Sequence, residues 1–124
     1  MPKQRPKYLN LFIIKLPLPG VVSILHRISG ALLFLVIPFV LYLLKISLAS
    51  EEGFEAAKQM MSGHIAKLVL LVLSWALLHH FFAGLRFLAM DMHYGIELSQ
   101  TRRAAMAVMA ISLILTFFLG VWLW

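Results

Sequence analysis

Two adjacent histidines, His79 and His80, lie deep in an apolar stretch running from Leu68 to Met90, and Arg86 follows six residues after the second. Ionisable side chains are costly at that depth in a hydrocarbon-crossing segment; they stand there to hold a cofactor, to carry charge or to bond a neighbouring helix. A helix turns about 100° per residue, so His80 shares a face with Gly84, with Phe87 or Leu88, and with Asp91, whereas His79 points about 100° away. Gly84 removes a side chain where a flat, bulky ligand would collide, and the surrounding Leu, Phe and Met residues supply a low-dielectric wall. A haem edge fits such a slot. Close packing of another helix on a small residue fits it as well.

A low-spin b-type haem needs two axial ligands from opposite sides of the porphyrin. His26 and His93 are expected near one membrane surface and His64 near the other, whereas His80 lies about 15 Å from the nearer end of its helix. The second ligand is therefore expected from a different polypeptide. Three helices also close a pocket poorly, so the chain reads as part of a larger bundle. With no cysteine in the sequence, disulfides, thiolate-ligated iron–sulfur clusters, zinc–cysteine sites and covalently attached c-type haem are excluded from this chain.

A second polar cluster, Ser23-Ile24-Leu25-His26-Arg27-Ile28-Ser29-Gly30, stands where the first apolar segment begins. Ser23 and Arg27 are four apart, hence on one helix face, and can offer a hydroxyl and a cation to one acceptor such as a quinone carbonyl or a haem propionate. An arginine reaching to lipid phosphates is the plainer reading of Arg27. His26 faces another direction and can serve a propionate while Ser23 and Arg27 serve the quinone, or the roles can be mixed. Ser29 can simply bond back to its own helix.

The elements that must position these residues follow from composition. Of the 124 residues, 62% are hydrophobic and 13% charged, and three windows are apolar all round, from about Ile28 to Leu48, Ile65 to Met90 and Ala104 to Trp124, each near or above the ~20 residues that cross a bilayer. The expectation is an all-α, integral membrane fold with three transmembrane helices. Its parts are a cytoplasmic N-terminal segment (1–20), a first span (21–48), an outer loop or short helix (49–64), a second span (65–90), a cytoplasmic loop (91–103) and a third span (104–124). No cleavable signal peptide is expected, and no internal repeat is visible. Ser50 can cap the short outer helix, Glu51 and Glu52 suit its positive end and Gly63 stops it; Pro38 is expected to bend the first span.

Of the 11 Lys and Arg residues, Lys3, Arg5, Lys7, Lys15, Arg27, Arg86, Arg102 and Arg103 fall on one side of this topology, and Lys45, Lys58 and Lys67 share the other with Glu51, Glu52 and Glu55. The positive-inside rule puts the N-terminus in the cytoplasm and the C-terminal Trp122 and Trp124 at the outer interface. The net charge of +6 thus follows membrane topology and is not a nucleic-acid arm. Asp91, at a helix end beside Arg86, is expected to form a structural ion pair with it.

Three segments carry a resemblance over the whole chain. They are Arg5-Pro6 with Leu9-Asn10-Leu11, the run from Ser23 to Gly30, and His80-Phe81-Phe82-Ala83-Gly84-Leu85-Arg86 followed by Asp91. The sequence resembles the cytochrome b membrane-anchor subunits of succinate dehydrogenase, respiratory complex II, of the bacterial type. The resemblance implies that His80, four before Gly84 and six before Arg86, is a haem axial ligand in preference to His79. It also implies that Ser23 and Arg27 help form the ubiquinone site. By the same resemblance one haem b is shared with a second hydrophobic subunit supplying the other ligand. An iron–sulfur subunit and a flavoprotein subunit dock on the cytoplasmic face, and electrons from succinate, in the tricarboxylic acid cycle, reach ubiquinone. The expected location is the bacterial inner membrane, with the C-terminus periplasmic. Phe87 departs from the pattern, since many relatives carry a histidine directly after that arginine.

The chain shows no nucleophile–base–orienter arrangement, so it reads as a redox subunit without catalysis of its own. A fumarate reductase anchor working with menaquinone and a haem-free structural anchor are the rival readings. A small multidrug-type transporter would need a mid-span carboxylate, and none is present.

Overall fold

The computed structural model describes residues 14–124; the N-terminal segment with Arg5-Pro6 and Leu9-Asn10-Leu11 lies outside them. Among the described residues the chain forms α1 (Leu18–Ala49), α2 (Glu51–Ser62), α3 (His64–Asp91) and α4 (Leu98–Leu123). Three of these, α1, α3 and α4, are long and apolar enough to cross a membrane. They run antiparallel in turn, so the start of α1, the end of α3 and the start of α4 share one end of the bundle, here called the basal end. The opposite, apical end carries α2.

Each helix begins before the apolar run that betrays it. At α1, Pro19 sits in the first turn, where its missing N–H costs nothing, and the helix continues unbroken through Pro38. At α4 the start is Leu98, so Arg102 and Arg103 belong to its first turns and the basal link shrinks to residues 92–97. Hydropathy marks where hydrocarbon begins, whereas a helix extends as far as its backbone bonds can be made. In the link, His93 takes a left-handed backbone (φ 64°), and the Met92 and Tyr94 N–H groups close the end of α3 on the Leu88 and Ala89 carbonyls.

At the apical end the Ser50 hydroxyl accepts from the Gly53 N–H at 3.0 Å and caps α2. A side chain at Gly53 would strike the Ile46 carbonyl, so glycine is what lets α2 fold back on α1. Lys67 donates to the Leu123 carbonyl at 2.8 Å and stands 5.5 Å from the Trp124 ring centre, tying the start of α3 to the end of α4.

Packing inside the bundle is by small residues. The buried face of α4 is Ala105, Val108, Ser112 and Thr116, and that of α3 is Ala76, His79, Ala83 and Arg86. In a membrane small side chains let backbones approach and gain van der Waals contact where the hydrophobic effect gives none. Nearly all the large apolar side chains, from Phe34 and Leu35 to Phe117 and Trp122, face outward. Such surface suits lipid or further helices.

Candidate functional site

The two histidines of α3 part company as the helical turn requires. His79 is fully buried. It stacks on Trp75 at 5.2 Å between ring centres and lies beside the Val22 backbone of α1, yet neither ring nitrogen has a well-formed hydrogen bond. His80 is half-buried and faces α1, where its Nδ1 is 3.1 Å from the His26 carbonyl oxygen and 3.4 Å from Ser29 Oγ.

A carbonyl oxygen only accepts, so the His80–His26 bond places the proton on Nδ1 and leaves Nε2 with a free lone pair. That is the tautomer a metal-bound imidazole adopts, with the second ring N–H given to a carbonyl. The donor set on this face therefore fits an iron porphyrin ligated through His80 Nε2. Among the described residues no three His, Cys, Asp or Glu side chains gather in one place.

The expectation that no other histidine of this chain reaches the depth of His80 is overturned for His26. The two rings stack at 4.3 Å between centres with an 11° interplanar angle. The reason is the early start of α1: His26 lies eight residues in from Leu18 and His80 eleven from Asp91, so their depths differ by only about one 5.4 Å turn. His26 nevertheless lies over the face of the His80 ring. An axial imidazole binds along its own ring plane, so a ring stacked on its face is not the opposed ligand.

A glycine on α1 makes this contact possible. A Cβ on Gly30 would stand 2.9 Å from His80 Cε1 and 3.2 Å from Nδ1, whereas one on Gly84 would be 3.7 Å from His26 Nε2, an ordinary contact. The slot read at Gly84 thus takes the His26 ring, and the tighter slot is at Gly30, which the sequence reading passed over. A signal for it was present, because His-x-x-x-Gly occurs at 26–30 and again at 80–84.

Ser23 is half-buried and Arg27 exposed, one turn apart on α1 at the basal end. Neither makes a side-chain hydrogen bond or ion pair among the described residues. The expected ion pair of Arg86 with Asp91 is not formed. Arg86 is only 8% exposed, its Nε has no partner among the described residues, and its guanidinium carbon lies 5.4 Å from the Phe87 ring centre, while Asp91 is exposed. Five residues along a helix turn about 500°, which sets the two side chains some 140° apart. A cavity of about 440 Å³ near the apical end, lined by Val36, Phe39, Val40, Leu43, Met60 and Val69, is almost wholly apolar and contains none of these groups.

Three bilayer-spanning helices with small-residue contacts, an outward apolar surface and a half-buried, stacked histidine pair between two of them define a multi-pass membrane protein. The family described as succinate dehydrogenase/fumarate reductase transmembrane subunit matches residues 1–119, and the chain belongs to it. It is 40% identical to the succinate dehydrogenase cytochrome b556 subunit of Coxiella burnetii over the full length of both chains. It is 32% identical to the protein of that name from Paracoccus denitrificans, over 90% of this chain and 85% of the other. For that of Rickettsia felis the figures are 30%, 95% and 92%.

Proposed function

We propose that this chain is the cytochrome b membrane anchor of a succinate:ubiquinone oxidoreductase, holding one haem b together with a second membrane subunit and forming part of the ubiquinone site. The observation that carries the reading is the His80 Nδ1 bond to the His26 carbonyl, which readies Nε2 for iron inside an apolar bundle. The similarity to cytochrome b556 subunits of succinate dehydrogenase supports both the haem and the enzyme.

Each side chain then has a task. His80 Nε2 would hold the haem iron, and the second hydrophobic subunit would supply the other ligand, since His26 lies over the His80 ring. Such a haem, when bound, would supply a one-electron store. Arg27 and Ser23 present a guanidinium and a hydroxyl to a ubiquinone carbonyl and stabilise the negative charge that develops on that oxygen as electrons arrive. His26 is available to a haem propionate, a role it can share with Arg27. The basic residues at the basal end support a cytoplasmic position for that end, where the iron–sulfur and flavoprotein subunits would dock, with the C-terminus periplasmic in the bacterial inner membrane.

The test is a reduced-minus-oxidised optical spectrum of the assembled membrane complex, comparing the parent with His80→Tyr and His79→Tyr. The b-type band is lost or shifted in His80→Tyr alone. A band unchanged by His80→Tyr, or removed only by His79→Tyr, would falsify the assignment.

A further inference from the structure

Four serines of this chain donate their hydroxyl to the carbonyl three residues back on their own helix. Ser47 bonds Leu44 at 2.9 Å, Ser62 bonds Gln59 at 2.7 Å, Ser112 bonds Met109 at 3.1 Å and Ser29 bonds His26 at 2.9 Å. Such back-bonding is ordinary for a serine within a helix. At Ser29 alone among the four does a ring nitrogen converge on the same two oxygens. His80 Nδ1 reaches the His26 carbonyl at 3.1 Å and Ser29 Oγ at 3.4 Å.

The His26 carbonyl sets the donors and acceptors of this triangle. The carbonyl accepts only. Ser29 spends its single proton on that carbonyl, which turns a lone pair of Oγ toward Nδ1, and His80 supplies the remaining proton. The Nδ1–H is therefore shared between a main-chain and a side-chain oxygen. Ser29 is fully buried, so no water competes for its hydroxyl and the shared bond acts in a low-dielectric setting.

We infer that Ser29 is a positioning residue for the haem ligand: by sharing the Nδ1–H of His80 with the His26 carbonyl, it fixes the tautomer and ring orientation and raises the basicity of Nε2. The inference rests on the reading of His80 as an axial ligand. Gly30 belongs to the same device, since only a residue without Cβ lets the ring lie flush against α1. An acceptor on the distal N–H makes an imidazole a stronger donor to its metal and favours the oxidised ion. Removing the hydroxyl weakens that donation.

The experiment uses the complete membrane complex with Ser29→Val, Ser29→Thr and Ser29→Ala. Valine and threonine have the same shape and differ in the hydroxyl, so their comparison separates a positioning role from packing even if the alanine variant assembles poorly. The readouts are the haem midpoint potential and the low-temperature electron paramagnetic resonance spectrum of the oxidised haem. Ser29→Val is expected to raise the potential and move the g values while keeping the haem, and Ser29→Thr to match the parent in both. Equal potentials and g values for Ser29→Val and Ser29→Thr overturn the inference. His80→Tyr runs alongside: if it leaves the spectrum intact, the ligand reading itself fails, whereas its loss of the b-type band with all Ser29 variants like the parent refutes the role of Ser29 alone.

Discussion

The two faces of α3 on which His79 and His80 stand make opposite use of the same side chain. On the His80 face the imidazole is half-buried, bonded through one nitrogen and backed by a glycine on the facing helix. On the His79 face it is fully buried among small residues and an indole, with both nitrogens lacking a well-formed bond. A histidine at depth is thus no site by virtue of burial. What distinguishes His80 is a single committed nitrogen with the other left free.

The contrast can be broken most sharply at Gly30. Gly30→Val drives a branched side chain into the His80 ring, whose Cε1 a bare Cβ would already approach at 2.9 Å. Most of the b-type absorbance of the complex should disappear, and retention of the parent's haem content would show that the ring is not held against α1. On the other face, Ala105→Leu overpacks the fully buried α4 stripe and should cost about 1–3 kcal/mol. That loss reads out as a lower melting temperature of the complex, without a change in the haem band.

His79→Leu replaces two buried nitrogens that lack a well-formed bond among the described residues with an apolar group of similar size. Stability should hold or rise, by about 1 kcal/mol, because no desolvated polar group is left behind. A marked drop in thermal stability would mean that His79 has a partner in the complete assembly. Gly84→Ala is the mildest change, since its Cβ would make only an ordinary contact with His26 Nε2. Haem content and spectrum should stay within error of the parent, and a loss as large as that of Gly30→Val would erase the asymmetry between the two glycines.

How far the sequence alone reached can be judged residue by residue. The three spans were legible because an apolar run of some twenty residues has few other uses, and the separation of His79 from His80 followed from a fixed angle per residue. The depth of His26 was not legible. It was judged from where apolar residues begin, near Ile28, while the helix begins at Leu18. Gly30 was passed over because its role exists only across an interface: nothing along α1 states that an imidazole from α3 will lie on it. The ion pair expected between Arg86 and Asp91 failed on angle, which proximity in sequence conceals. The pairing of helices is a property of two segments at once, and only the repeated His-x-x-x-Gly spacing hinted at it.

The tie between Lys67, Leu123 and Trp124 holds the start of α3 level with the end of α4, and so marks the apical end of the spanning bundle. From Lys67 to His80 is thirteen residues of continuous helix, or about 20 Å of a hydrocarbon layer about 30 Å thick. His80 therefore stands roughly two thirds of the way across, nearer the basal surface. A charge brought to it from that surface crosses only about a third of the transmembrane voltage and feels about 0.8 kcal/mol for every 100 mV, against about 2.3 kcal/mol for a full crossing. The anchoring of one lysine at the far end thus keeps charge movement at the histidine pair largely insulated from the membrane potential.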